Sequence, residues 1–235
     1  MKTYNLYLES GPRQKKTMVH VLDLLGCIAK GPTTDEALAN TPDAIRAFLR
    51  FLKDHGEAVD LREKFETQIA QHIMQGQWLG NGDPYLVFEP DLQALTPKEI
   101  KVFIPRLEAM RAEVLDLVGV LSDKELAAEP KPKGRSIQFI LEHMLESEHF
   151  YLSSLGKIEG LPSAGNIIQK RQGDLFSWMI RVRQKLIERL HALTPEERIL
   201  HIERWKQTWS ARKAMRHMLE HEWEHLVELR ERLTP

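Results

Sequence analysis

The chain has 235 residues, of which 42% are hydrophobic and 29% are charged, and its formal net charge is -1. These values are typical of a globular protein with one large domain or two smaller ones. A nearly neutral chain has no long-range field that attracts nucleic acid or an anionic membrane surface, so neither partner is expected. The sequence contains no apolar run of the roughly 20 residues that a spanning helix needs and begins without the apolar core of a signal peptide. We therefore expect a cytoplasmic protein.

The cysteine content agrees with this expectation. The single cysteine, Cys27, cannot form an internal disulfide, which is typical of a reducing compartment. We expect Cys27 to be a small buried apolar residue.

Residues 1–75 are predicted to form a small α/β module that begins with a hairpin. Thr3–Ser10 alternates between polar and apolar residues, and a second β-like run covers Thr17–Ala29. The turn formers Gly11-Pro12-Arg13 lie between these runs. The pattern predicts two strands joined by a turn.

The hairpin is followed by a predicted helix and a further strand. Thr33 with Glu36 three residues later forms a capping box, in which the hydroxyl and the carboxylate satisfy free N–H groups at a helix start. The helix is expected to end near His55-Gly56, and weak alternation over residues 64–74 predicts a third strand.

A loop rich in turn-forming residues, Gly76–Pro84, is the predicted domain boundary. Residues 84–235 are predicted to be helical, with capping boxes at Thr96 and Thr194 and a possible kink or restart at Pro105. The long helices are predicted at 97–121, 136–155, 174–193 and 210–233. Four long helices favour an up-and-down four-helix bundle, so the predicted fold class is α+β.

Three histidines lie at steps of four on the last predicted helix: His217, His221 and His225. Residues four apart are neighbours on a helix surface, so two such imidazoles can share one metal ion. His221 and His225 belong to the apolar stripe of this helix together with Met218 and Leu229, whereas His217 lies to one side. We therefore expect His221 and His225 to be ligands and His217 to lie outside the metal site.

A third ligand must come from another helix, and His143 is the best candidate because it shares a stripe with Phe139 and Ile140. Its rival, His149, faces roughly the opposite side of the same helix. Three histidines leave a coordination position open, as in catalytic sites, and they suit zinc, nickel, iron or cobalt. The alternative is that these histidines are ordinary polar residues of charged helices.

The helical region resembles the DinB-like family of four-helix metalloproteins. The resemblance rests on His143 in the run Leu141–Glu148 and on Glu220-His221-Glu222-Trp223-Glu224-His225. It implies that His143, His221 and His225 hold a divalent ion, zinc or nickel before iron or cobalt. The family includes thiol-dependent S-transferases and related metal-dependent enzymes, but membership in a fold family does not name a substrate.

The first residues also resemble a family. Val21–Cys27, followed by Gly31–Leu38 with its threonine-capped helix, is similar to the HicB-type antitoxin module. The proline usual in the Leu-Pro-Gly-Cys turn of that family is Leu25 here, and no appended DNA-binding element follows. The resemblance implies a small α/β module that serves dimerisation or covers the open end of the bundle.

Two functions follow from these patterns. The first is a metal-dependent enzyme, an S-transferase or hydrolase, in which an ion held by three histidines activates a thiol or water for a small-molecule substrate. The second is a regulatory, antitoxin-type interaction module with a structural metal or none. No catalytic base stands out, because the glutamates near the histidines are expected on solvated helix faces: Glu142, Glu146, Glu222 and Glu224. A low-molecular-weight thiol as cosubstrate and a homodimer are further expectations.

Overall fold

The computed structural model describes residues 1–130 and 133–233 and has a mixed α+β architecture. A four-stranded sheet with one helix forms the first part, and a helical bundle forms the second. The predicted fold class is confirmed at this level. The predicted end of the bundle at residue 235 lies outside the described residues.

The sheet contains two antiparallel pairs and one parallel pair. Its strands are β1 (Lys2–Ser10), β2 (Lys15–Val21), β3 (Ile28–Thr33) and β4 (Phe65–Ile73), in the order β3-β2-β1-β4. β1 pairs antiparallel with β2, β2 pairs antiparallel with β3, and β4 lies parallel to β1. The hairpin and the third predicted strand are therefore confirmed.

The second β-like run, Thr17–Ala29, is not one strand as predicted. A 3-10 turn at Leu22–Leu24 separates β2 from β3. Gly26 within this connection has φ 106°, and a Cβ atom there would lie 2.8 Å from the ring of Phe48. Glycine is the residue that tolerates both the positive φ and the close approach, so the apolar run folds back on itself at this point.

Helix α1 (Thr34–Asp54) follows β3 and packs on one face of the sheet. The Thr33 hydroxyl accepts a hydrogen bond from the Glu36 amide at 3.2 Å, as predicted. The Glu36 carboxylate accepts from the Thr33 hydroxyl at 2.7 Å and not from the Thr33 amide, so only half of the predicted capping box forms. Ile45 and Phe48 are fully buried on the inner side of the helix. The helix ends at His55 beside Gly56, as predicted.

The predicted long helices of the second part are confirmed. The helices of this part are α2 (Pro97–Val118), α3 (Asp123–Ala127), α4 (Ile137–Ser153), α5 (Leu175–His191), α6 (Pro195–Ile199) and α7 (Ala211–Leu233). Thr96 and Thr194 cap α2 and α6 through the predicted boxes, and α2 continues through Pro105. A short hairpin, β5 (Ile202–Arg204) and β6 (Gln207–Trp209), precedes α7.

The predicted up-and-down order of the bundle is wrong. Glu99 at the start of α2 pairs with Arg212 at the start of α7, and Glu113 pairs with Arg230 near both helix ends, so these neighbours are parallel. Contacts of α4 with α5 and with α7 complete the ring of helices. The physical reason is the long connection of residues 154–174, because about 20 residues reach roughly 70 Å when extended. That reach exceeds the length of α4, about 25 Å, so α5 can start at the same end as α4.

A buried ion cluster joins the helices of the bundle. Glu222 on α7 accepts hydrogen bonds from Arg111 at 2.7 Å and from Arg183 at 2.8 Å, and both arginines also pair with Glu148. All four side chains are at most 5% exposed. The expectation that Glu222 lies on a solvated face is therefore wrong, because α7 is covered by other elements on nearly every side.

The sheet module packs directly on α7. His20 of β2 lies 3.0 Å from the Glu220 carboxylate, and both side chains are buried. The rings of Phe48 on α1 and Trp223 on α7 meet edge to face at 4.9 Å.

Cys27, in the turn between β2 and β3, is fully buried as expected, and burial raises the pKa of its thiol. Among the described residues, no helix is long and apolar enough to cross a membrane.

Candidate metal centre

Three histidine side chains from two helices converge at one point of the bundle. His221 Nε2 lies 3.0 Å from His143 Nε2 and 3.2 Å from His225 Nε2. One ligand atom from each residue lies within 4.8 Å of the others. The structure therefore brings together the three residues that the sequence predicts as ligands, from α4 and from two successive turns of α7.

A carboxylate on α7 orients one of the three rings. His225 Nδ1 donates to Glu228 Oε2 at 2.8 Å, so in the neutral ring the lone pair is on Nε2, which is turned to the other two histidines. The hydrogen bond from His225 is the main cause that lowers the pKa of Glu228 to about 2, and Arg135 at 3.2 Å contributes. A carboxylate behind an imidazole in this way is a common outer partner of histidine ligands in metalloproteins.

The protein holds two of the imidazoles in the neutral form that binds metal. Burial, with the neighbouring His225, lowers the pKa of His143 to about 4. Burial also keeps the pKa of His221 well below its ordinary value, and both other histidines of the cluster act in the same direction. At neutral pH these rings therefore offer lone pairs and no positive charge.

The cluster fits a divalent ion. The Nε2 of His225 bears a lone pair, and one proton on His221 cannot satisfy both of its neighbours, so at least one imidazole lone pair lacks a partner at the centre. A tetrahedral ion at about 2.0–2.1 Å from each nitrogen separates its ligands by about 3.3 Å. Two of the three observed separations, 3.0 and 3.2 Å, are close to this value. The third pair, His143 and His225, lies within 4.8 Å, so these rings would move closer together around a bound ion.

A cavity of about 370 Å³ adjoins the cluster on the side of His143. Its lining includes Glu146, Ser147 and Tyr151 of α4. The Tyr151 ring meets His221 edge to face at 5.8 Å, and burial is the main cause that raises the pKa of its phenol. The cavity therefore presents a carboxylate and a protonated phenol to any group held at the histidines.

The other candidate histidines lie elsewhere. His217 is buried and stacks on Tyr151 at 4.9 Å, outside the three-histidine cluster. His149 is buried on another side of α4, away from the three. Among the remaining glutamates, Glu142 lies near Arg171 at 3.9 Å and Glu224 pairs with Lys30 of β3.

Sequence reasoning missed two residues of this centre. Glu228 lies three positions after His225, a spacing that places the two side chains side by side on a helix, so this partner could have been recognised. Tyr151 lies eight positions after His143, about two turns along α4 and on the same side of the helix. No sequence pattern indicates that this position faces α7.

Comparison with known proteins gives a family for the chain. Among solved structures, YfiT from Bacillus subtilis matches with a TM-score of 0.43 and 17% sequence identity, over 64% of this chain and 94% of that chain. It is described as a probable metal-dependent hydrolase with an unusual four-helix bundle topology. No curated protein matches the chain. The DinB superfamily matches over residues 106–229, more than half of the chain and including all three clustered histidines. The protein belongs to the DinB superfamily.

Proposed function

We propose that the protein is a metal-dependent enzyme in which His143, His221 and His225 hold a divalent ion. The observation that carries this proposal is the convergence of three Nε2 atoms, with neighbouring separations of 3.0 and 3.2 Å. All four metals zinc, nickel, iron and cobalt accept imidazole ligands. We prefer zinc or nickel, as the family resemblance implies, with iron and cobalt as alternatives.

The ion supplies a nucleophile when bound, because it lowers the pKa of a coordinated water or thiol towards neutrality. The side chains around it have separate tasks. His225 is held in one tautomer by Glu228, so its Nε2 stays directed at the centre. The buried setting of His143 and His221 keeps protons from competing for their nitrogens.

Two residues of the adjoining cavity are suited to proton transfer and to binding a developing charge. Glu146 is an exposed carboxylate at this cavity and can accept a proton from the nucleophile. The phenol of Tyr151 stays protonated at neutral pH because burial raises its pKa, so it can donate a hydrogen bond to an oxygen of the substrate.

The reaction class that we propose is hydrolysis or S-transfer. Both need a nucleophile that the ion activates, and they differ in whether this nucleophile is water or a low-molecular-weight thiol. A small-molecule substrate, a homodimer and a cytoplasmic location go with this proposal. The alternative is a HicB-like regulatory module with a structural metal or none. It predicts a bound protein partner and no turnover of esters, amides or thiol acceptors.

Metal content measured by plasma mass spectrometry on tag-free protein tests the site. The wild-type protein, supplied with zinc, nickel and iron in turn, should hold about one equivalent of a divalent ion. His143→Ala and His221→Ala should each lose it, because two remaining imidazoles bind far more weakly than three. His191→Ala is the control, since His191 is an exposed residue at the end of α5.

Two outcomes contradict the proposal. Stoichiometric metal in His221→Ala would show that the ion binds elsewhere. No metal in any variant would favour the regulatory alternative, and capture of a partner protein would then be the next experiment. If metal is present, screening of ester, amide and thiol-acceptor substrates decides between hydrolysis and transfer.

A further inference from the structure

A second cavity, of about 550 Å³, lies beside the one in front of the histidines. It is enclosed by the end of α4, the loop of residues 156–165 and the β5–β6 hairpin. The two cavities share Phe150, Ala164 and Gly165 in their linings. A volume of this size accommodates a small organic molecule, and the shared wall places such a molecule next to the metal centre.

A buried histidine lines this second cavity. His149 is 2% exposed, and within the described part of the chain neither of its ring nitrogens makes a hydrogen bond of good geometry. The Pro162 backbone lies near enough to the ring to oppose the lowering of its pKa by burial, so it is the partner closest to one nitrogen. Leaving buried polar atoms unsatisfied costs free energy, and in native proteins such atoms commonly serve a ligand or an ordered water. The ring therefore provides at least one nitrogen for a bound molecule.

The hairpin that closes the cavity has a strained tip. Trp205 and Lys206 have φ values of 55° and 61°, in the left-handed region where glycine and asparagine are usual. A bulky side chain in this region is unfavourable and often marks a functional position. The Trp205 ring is 50% exposed and stacks on Phe150 at 4.9 Å, so the strained residue forms an aromatic wall of the cavity.

The charge at the cavity is positive. Arg204 donates one hydrogen bond to the Ser153 carbonyl at 2.7 Å, and its guanidinium lies over the Trp205 ring at 5.6 Å. Among the described residues, no carboxylate lies within salt-bridge distance of Arg204, and the lining contains no aspartate or glutamate. Lys157 is a second cation of the lining, although it pairs with Glu159. An arginine with unused donors next to an aromatic wall is suited to a planar anion.

We propose that the second cavity binds the part of the substrate remote from the reacting bond, and that this part carries a carboxylate or similar anion beside a flat ring. The anion contacts Arg204, the ring packs on Phe150 and Trp205, and His149 satisfies a polar substituent. This assignment rests on the proposed function only in calling the ligand a substrate, because the cavity and its lining do not involve the metal ligands.

Titration calorimetry with two probes of the same shape tests the assignment. One probe is 1-naphthoate, and the other is the neutral 1-naphthamide. The wild-type protein should bind naphthoate at least about tenfold more tightly than naphthamide, because a hydrogen bond between ionised groups is stronger than one between neutral groups. Arg204→Gln should remove this preference by weakening naphthoate binding about tenfold, while naphthamide binding stays unchanged.

Two further variants separate the contacts from the fold. Trp205→Gly should weaken both probes about tenfold, and it should not unfold the hairpin, because glycine is favoured at a φ of 55°. Arg50→Gln is the matched control, because Arg50 is an exposed arginine of α1 that does not line the cavity. It should bind both probes as the wild type does.

The proposal is overturned if naphthoate binds the wild type and Arg204→Gln equally well, or if the wild type binds neither probe at the limit of solubility. The same titrations on His221→Ala distinguish this failure from that of the proposed function. Naphthoate binding should persist in His221→Ala, because the cavity lining includes no metal ligand. Naphthoate binding by a wild-type protein that holds no metal would leave the cavity assignment intact and contradict only the metal-dependent activity. Metal binding without naphthoate binding would contradict the cavity assignment and leave the metal-dependent activity intact.

Discussion

Substitution of Glu228 by glutamine should weaken metal binding at the three histidines by about 10- to 100-fold, the usual effect of removing an outer partner of a histidine ligand. Two contributions act in the same direction. Glu228 Oε2 accepts a hydrogen bond from His225 Nδ1 at 2.8 Å and thereby sets the tautomer that turns Nε2 towards the ion. Its charge also balances Arg135 and Arg232, which pair with the same carboxylate.

The size of the effect follows from these two contributions. A tenfold change in affinity corresponds to about 1.4 kcal/mol, which is close to the value of one hydrogen bond to an ionised group. Loss of the carboxylate also leaves Arg135 without a partner near a cation, and the positive charge of Arg135 already lowers the pKa of His143, after burial and His225. We therefore expect an effect in the upper part of the range.

Competition for zinc against a chromophoric chelator at neutral pH measures the change. Glu224→Gln is the matched control, since Glu224 lies one turn earlier on α7 and pairs with Lys30 instead of a histidine. Adding Arg135→Gln to Glu228→Gln should restore part of the affinity by removing the unpaired cation, whereas the tautomer contribution stays lost. Unchanged affinity in Glu228→Gln would refute the assignment of Glu228 as the residue that orients His225.

Three further predictions concern stability. Glu222→Ala should lower the free energy of unfolding in guanidinium by about 3–5 kcal/mol, because two buried arginines would share one carboxylate. Glu188→Ala, at an exposed glutamate of α5, serves as control. An equal loss of stability in both variants would contradict the role of the ion cluster. His217→Gln should reduce the loss of stability between pH 7.5 and 5.5 by about 1.4 kcal/mol. Burial keeps the folded-state pKa of His217 well below that of the unfolded chain, so the unfolded state takes up the proton as pH falls through about 6.5. Identical pH profiles of stability for the wild type and His217→Gln would exclude this linkage. Gly26→Ala should lower the midpoint of thermal unfolding by several degrees, because placing a residue with a Cβ atom at a φ of 106° costs about 1–3 kcal/mol of folding free energy. An unchanged midpoint would show that the turn relaxes without strain.

The positions of the helices and the meeting of the three histidines could be predicted because both depend on short spacings. The Thr33 hydroxyl cap and the capping boxes at Thr96 and Thr194 mark helix starts through contacts within four residues. The spacing of His221 and His225 places them on one side of any helix. The structure confirms these helix starts, and it brings His143 to the other two histidines.

The order of the bundle and the second cavity could not be predicted in this way. The direction of α5 depends on the path of residues 154–174, which show no apolar period. The tip of the β5–β6 hairpin has Trp205 and Lys206 where glycine or asparagine would indicate a turn. Glu222 looks solvated in sequence because its partners, Arg111 and Arg183, lie far away along the chain.

The distribution of the three histidines along the chain determines when metal can be loaded. His143 and His221 are 78 positions apart, and α7, which carries two of the three, follows every other helix that the structure describes. During synthesis, a nascent chain with α2 to α5 already exposed offers only one of these imidazoles, which binds a divalent ion weakly. The complete set exists only after α7 has emerged and packed against α2 and α4. On the proposed function, metal uptake would therefore follow the packing of α7, and a chain in which α7 has not yet packed would bind little metal.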